Sequence, residues 1–352
     1  MASIKWKSGV TGDWNAASNW SPGAIPGAGD AVIINAAGNY DVVVDDVESA
    51  GSILLNSAGA TLIVEGAPGV SLSIGTSLTA TAGTLSLVAD NIDPYGYISA
   101  GTVSIGSGAA LFAQPFLQGS TDSTFSIYAT VNLAGHTTVA AGATLNLFGG
   151  GTLGGAYAGA GALDLQTRLF SSTLATFTST VAAISGIGNL GVDSDATLLL
   201  SKGSSAAIAT NISSVSGGTI AFLGSNTLTL NGSLRVGYDS HMLLGSGCNF
   251  TVPGDALFDN SGQIYIAPSS VVTLSGAVDF GLGNPLDSEY NTAIYGGGTL
   301  VTSGSTSVSF PGSNLIEANF GGGLTWSNTG YFDAGGLVGL NTVSNDTLAI
   351  VN

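Results

Sequence analysis

Ile53-Leu54-Leu55-Asn56-Ser57-Ala58-Gly59-Ala60-Thr61-Leu62-Ile63-Val64 sets the pattern for the chain: a β-branched or aliphatic run, a turn of small residues, then Ala or Thr, Leu, any residue and another apolar one. The phrase returns as TVAAGATLNLFG at residues 138 to 149. Looser copies begin at Val103, Val192, Val236 and Ile264. A strand-turn-strand unit this short cannot bury an apolar face alone, so the copies must stack into one continuous core. The fold this implies is all-β: an elongated parallel β-helix, or β-solenoid.

The rest of the 352-residue sequence keeps the same grammar. DVVVD, SILLN, TLIVEG, VSLSIG, TLSLVA and GTVSIG alternate with turns rich in Gly, Asn and Ser, and IAFLG, TLTLNG, IYIAP, VDFGLG, VSFPG and LTWSN continue it in the second half. Period-two alternation over four to six residues, bounded by turn formers, is the strand signal. Leu62, Leu85, Leu111, Leu145, Leu163 and Leu198 occupy corresponding places in the phrase. Their uneven spacing suits coils with loops of different length and is too irregular for propeller blades. Residues 166 to 186 are ambiguous, because Leu169, Leu174, Phe177 and Val181 could line a helix. Their density of Ser and Thr favours strand.

Residues 1–30 differ from the rest of the chain. Trp6, Trp14 and Trp20, three of the four tryptophans, lie there beside Pro22 and Pro26. Large aromatics over the first rung would cover an open sheet edge, so this segment reads as an N-terminal cap, with the solenoid over 31–352. The other reading of these tryptophans is an aromatic sugar-binding platform. At the opposite end NDTLAIVN runs as a strand. Leu348 and Ile350 there would meet either the chain itself or a second copy.

Composition excludes several function classes. Five basic residues against 22 acidic ones give a formal charge of −17, and the bases are scattered, so no cationic patch for nucleic acid or an anionic membrane can be assembled. Only 8% of residues are charged, which argues against disorder and against solvated helices. Cys248 is the only cysteine, so the chain forms no disulfide with itself. No segment reaches the length of a spanning helix, and the lysines of MASIKWKSGV are not followed by the apolar region of a Sec signal peptide.

The Gly12-Asp13-Trp14, Asn19-Trp20, Gly23, Pro26, Gly29-Asp30 pattern, with the VAAGATLNL grammar after it, resembles bacterial β-strand-repeat surface proteins of the adhesin and autotransporter-passenger type. The resemblance implies a parallel β-helix exported to the bacterial cell surface or extracellular space, with a part in adhesion, biofilm or a surface layer. Two departures qualify it. Nothing after residue 300 supplies an autotransporter's membrane barrel, and no tandem GGxGxDxUx nonapeptides of a calcium-binding RTX exporter are present. The function expected is therefore a structural or adhesive surface protein that associates with itself into a filament or layer through its solenoid ends. Surface polysaccharide is a second possible partner.

The alternative is a polysaccharide-binding or polysaccharide-degrading β-helix. Hydrolases of that shape need two carboxylates brought together, and lyases need a cationic base beside calcium. Asp45 with Asp46, Asp90 with Asp93, and Asp193 with Asp195 are the candidate pairs, though each also reads as an Asx turn. Two histidines and five Lys and Arg residues are too few for a cationic substrate groove, so an enzyme is not the favoured reading. If the chain binds Ca²⁺, then Asp90, Asp93, Asp193 and Asp195 are the ligands to expect, because a hard cation takes several oxygens, loop carbonyls included. His136 and His241 lack metal-ligand spacing and read as turn residues. Gly149-Gly150-Gly151 and Gly296-Gly297-Gly298 read as turns as well, without the strand-to-helix setting of a phosphate cradle. The pairs Thr79 and Thr81, or Thr227 and Thr229, offer hydroxyls to ice or sugar, but a pair is too short to define such a face.

Overall fold

The computed structural model describes residues 2–66, 70–89, 95–115, 123–168, 173–201, 205–208, 211–214, 216–237, 239–259, 261–281, 293–309, 319–321, 323–329, 332–335 and 349–351. The chain divides into two compact units, residues 1–171 with 186–188, and residues 172–185 with 189–352. Each is a parallel β-solenoid with three strand ladders around an apolar interior.

In the first unit one ladder begins at Ser3–Trp6 and passes in register to Ala31–Ile34, and then to the Ile53–Leu55 part of Ser52–Gly66. A second joins Tyr40–Val44 to Thr61–Gly66, then to the latter half of Ser77–Ala89 and to Ala109–Pro115. A third runs from Val47–Ala50 through Ser71–Ile74 to Tyr95–Ile105, Ser123–Leu133 and Ala143–Phe148. Tyr40–Val44 shows the common logic: Tyr40, Val42 and Val44 are buried while Asp41 and Val43 face outward, the period-two pleat of a strand with one wet face. The Ile53 to Val64 phrase is one continuous strand that turns its corner through register shifts beside Asn56. In TVAAGATLNLFG the corner is a true turn, with Ala143 N–H bonded to the Ala140 carbonyl and Gly142 at φ +78°.

The leucine series does not mark one position. Leu62, Leu85 and Leu111 are stacked partners in the second ladder, whereas Leu145 and Leu163 are partners in the third. The residues continuing from Leu111 are Thr137 and then Tyr157. Core positions accept any side chain that fills the space, so residue identity alone does not keep register.

The second unit is far more regular. Thr197, Thr219, His241 and Gln263 are consecutive partners in one ladder, 22 residues apart. Thr227, Asn249 and Val271 repeat that interval on a second ladder, and Leu234, Ala256 and Val278 on a third. Later coils lengthen, so that Gln263 pairs with Ala293 and Val271 with Thr299, yet the pairing stays parallel and in register. Leu198, Ile220, Met242, Ile264 and Ile294 stack along the interior, all buried. Phe258 stacks on Phe280 at 5.2 Å between ring centroids. Burial of these columns supplies the stability that no disulfide provides, at about 1.5–3 kcal/mol for each fully buried large side chain.

The ambiguous segment is mixed. Thr176–Ser179 is a strand paired with Thr197–Leu200, but Val181–Ile184 forms a single helical turn. Thr180 starts that turn, its hydroxyl accepting the Ala183 N–H at 3.1 Å, as an N-cap does.

Candidate functional site

The N-terminal tryptophans are core residues. Trp6, Trp14 and Trp20 are 0–3% exposed, with Trp20 edge-on to both Trp6 at 4.8 Å and Trp14 at 4.9 Å, and Trp6 lies parallel to Tyr40 at 6.5 Å. Trp20 donates its indole N–H to the Trp14 carbonyl, and Trp6 donates to that of Val10. Their faces are spent on one another, so they offer no sugar platform. Trp20–Ser21 also pairs antiparallel with Ser3–Trp6, so the edge of the first ladder is covered within the chain. Asp30 ties down the start of this segment by accepting the backbone N–H groups of Ala2 and Gly27.

The acidic candidates stand apart. Asp193 and Asp195 flank Ser194 in a tight turn in which Ser194 and Asp195 have φ of +50° and +58°, closed by Ala196 N–H to the Asp193 carbonyl. Asp90 and Asp93 lie outside the described residues, as does Leu348. Among the described residues no three His, Cys, Asp or Glu side chains come together as a metal site. Asp45 and Asp46 occupy the corner before Val47–Ala50, where burial, with their charges beside it, raises the pKa of Glu48. His136 and His241 are the first residues of strands rather than turn residues, and they lie in different units. Ile350 is in register with Trp326 in the Ala349–Val351 strand.

The chemically richest surface is one that sequence spacing did not reveal. On the third ladder of the first unit, Tyr97, Ser126, Asn146 and Asp164 are successive partners, and Ser99, Tyr128, Phe148 and Gln166 form the next column, in which Phe148 is buried. The coils between them differ in length, so only the register brings these residues together. Tyr128 stacks on Phe148 at 4.6 Å, Tyr97 meets Tyr128 edge-on at 6.1 Å, and the Arg168 guanidinium lies 5.4 Å from the Tyr128 ring centre. Gln166 donates to the Asp164 carboxylate. Beside it Asn146 Oδ1 is buried with no hydrogen-bond partner among the described residues. Tyr97 is 43% exposed and Arg168 is exposed. A ring edge, an amide, a carboxylate and a guanidinium on a rigid sheet are the groups that hold a sugar, through apolar contact with its C–H face and hydrogen bonds to its hydroxyls.

Among the described residues no helix is long and apolar enough to cross a membrane. Comparison with protein-family models, with curated proteins and with solved structures finds no match.

Proposed function

We propose that this protein is a structural, adhesive β-solenoid of the bacterial cell surface, and that it holds surface polysaccharide at the Tyr97, Tyr128, Asn146, Asp164 and Arg168 patch. The register that lines up Tyr97, Ser126, Asn146 and Asp164 beside Tyr128 and Phe148 carries this reading. A stack of paired strands holds these side chains at fixed spacing without a loop to order on binding, which lowers the entropic cost of binding an extended polymer. Among the described residues the patch contains one carboxylate, Asp164, within a mixed polar cluster, which suits holding a sugar better than cleaving one, because hydrolysis needs two facing carboxyl groups.

Affinity electrophoresis of the full chain through gels containing a neutral glucan or a polyuronate tests this reading. Retardation by either polymer, lost in Tyr97→Ala and Arg168→Ala, is the expected result. Unretarded migration in both gels would overturn it.

Association of copies into a filament or layer is the second reading, favoured by the Ala349–Val351 strand, which has one strand partner among the described residues. Ser3–Trp6 is already paired on both sides, whereas Val47–Ala50, the first strand of the third ladder of its unit, pairs with Ser71–Ile74 alone among the described residues. Negative-stain microscopy with and without millimolar Ca²⁺ separates filaments from isolated particles. It also shows whether calcium, for which Asp193 and Asp195 remain candidate ligands, promotes assembly.

A further inference from the structure

The three outward faces of the second unit differ in a way that β-propensity does not explain. One ladder runs from Ser205–Ile208 to Ala349–Val351 over seven strands, with Ser205 and Ala207 at one end and Ala349 and Val351 at the other in register with its outward columns. On its five inner strands, Thr227–Leu230, Asn249–Val252, Val271–Leu274, Thr299–Thr302 and Thr325–Asn328, alternate residues point outward in two columns. Six of these ten positions are Thr227, Thr229, Thr251, Thr273, Thr299 and Thr325. Val271 and Val301, of the same shape, fill two more, and Asn249 and Ser327 complete the set. No position carries a charge or an aromatic ring.

The other two faces of the same coils are mixed. One carries His241, Leu243, Tyr265 and Tyr295 outward, and the other Arg235, Leu257 and Asp279. A preference of strands for Thr and Val would act on all three faces alike. The uniformity of one face therefore answers to something outside the fold.

The face is also regular in space. Strands stack at about 4.8 Å, and alternate residues along a strand lie about 6.7 Å apart, so methyl and hydroxyl groups repeat on a nearly rectangular mesh. Among the described residues no hydrogen bond within the protein engages the six threonine hydroxyls. A regular mesh of small groups matches a ligand that is itself a lattice. Charged side chains hold their own hydration shells, and the protein's formal charge of −17 places none of its residues here. Sugar polymers are usually met by rings, which this face lacks.

We infer that this threonine face binds ice, its methyl groups seating and its hydroxyls anchoring a layer of water in the lattice arrangement. The inference is independent of the polysaccharide patch, which lies on the first unit.

Thermal hysteresis and the shape of single ice crystals, measured on the full chain, test it. The wild type is expected to hold crystals faceted below the melting point. Thr251→Lys with Thr273→Lys, and separately Thr229→Lys with Thr299→Lys, are expected to lose that hysteresis while keeping the wild-type melting curve by circular dichroism. Tyr265→Ala, on another face of the same coils, is expected to keep it. Absence of hysteresis in the folded wild type, or its survival in both lysine pairs, would overturn the inference. So would pull-down by insoluble cellulose or chitin that the lysine pairs abolish without any effect on ice, which would reassign the face to a crystalline polysaccharide.

Discussion

Trp326 donates its indole N–H to the Thr302 hydroxyl at 3.0 Å, and Thr302 in turn donates to Asn328 Oδ1 at 2.8 Å, all three buried inside the second unit. The interior column holding Thr302 and Asn328 is aliphatic in earlier coils, at Leu230, Val252 and Leu274. The change from aliphatic to polar accompanies the arrival of an indole that needs an acceptor. Thr302→Val keeps the shape and removes one hydrogen bond from each of two buried polar side chains. It should lower unfolding stability by about 1–3 kcal/mol, while Thr302→Ser stays close to wild type. Urea unfolding followed by tryptophan fluorescence reads the difference.

Trp20→Ala removes the ring that both Trp6 and Trp14 pack against. A loss of about 3–5 kcal/mol is expected, as for other buried aromatics cut to Ala. Near-ultraviolet circular dichroism should lose the signal of the cluster, and thermal unfolding should begin earlier.

Gly151 has φ +132°, and a Cβ there would lie 1.9 Å from the Val131 carbonyl oxygen of the preceding coil. Gly151→Ala therefore combines backbone strain of about 1–3 kcal/mol with a displaced coil. Gly23, at φ +99° with nothing within 4 Å of a Cβ, isolates the strain alone. Chemical denaturation should show Gly151→Ala as the more damaging of the two.

Cys248 is fully buried, and burial pushes its thiol pKa up to about 11 from the ordinary 9.0. It is protonated at pH 8, so iodoacetamide should label it only after denaturation. Between pH 9 and about 11 the unfolded chain releases this proton and the folded chain keeps it. Stability contributed by the buried thiol is whole below pH 9 and falls as pH rises through that window, which a Cys248→Ala comparison would expose.

The strand grammar was legible because an outward–inward alternation survives in short windows, as in Tyr40–Val44. Register was not. The 22-residue interval joins Leu198, Ile220, Met242 and Ile264, which share size and burial but not identity, so a search for recurring leucine passes over it. The patch around Tyr128 was hidden for the opposite reason: Tyr97, Tyr128 and Phe148 come from coils of unequal length, and no spacing in the sequence relates them. The aspartate pairs chosen from the sequence were close along the chain, and closeness of that kind marks turns. Asp193 and Asp195 sit in one.

The 22-residue step shared by the coils between Thr197 and Val278 lets such a chain change length by whole coils. From Thr227 to Cys248 the chain makes one circuit, and Asn249 takes up the place that Thr227 held. Excising or duplicating that stretch joins a corner to an equivalent corner, so every strand keeps its inward and outward residues and meets a neighbour of the same kind. Inserting a single residue within a strand would instead turn the remainder of that strand inside out. Unequal recombination between coils is thus a ready route to longer or shorter relatives, each gaining or losing two outward positions of the threonine face at a time.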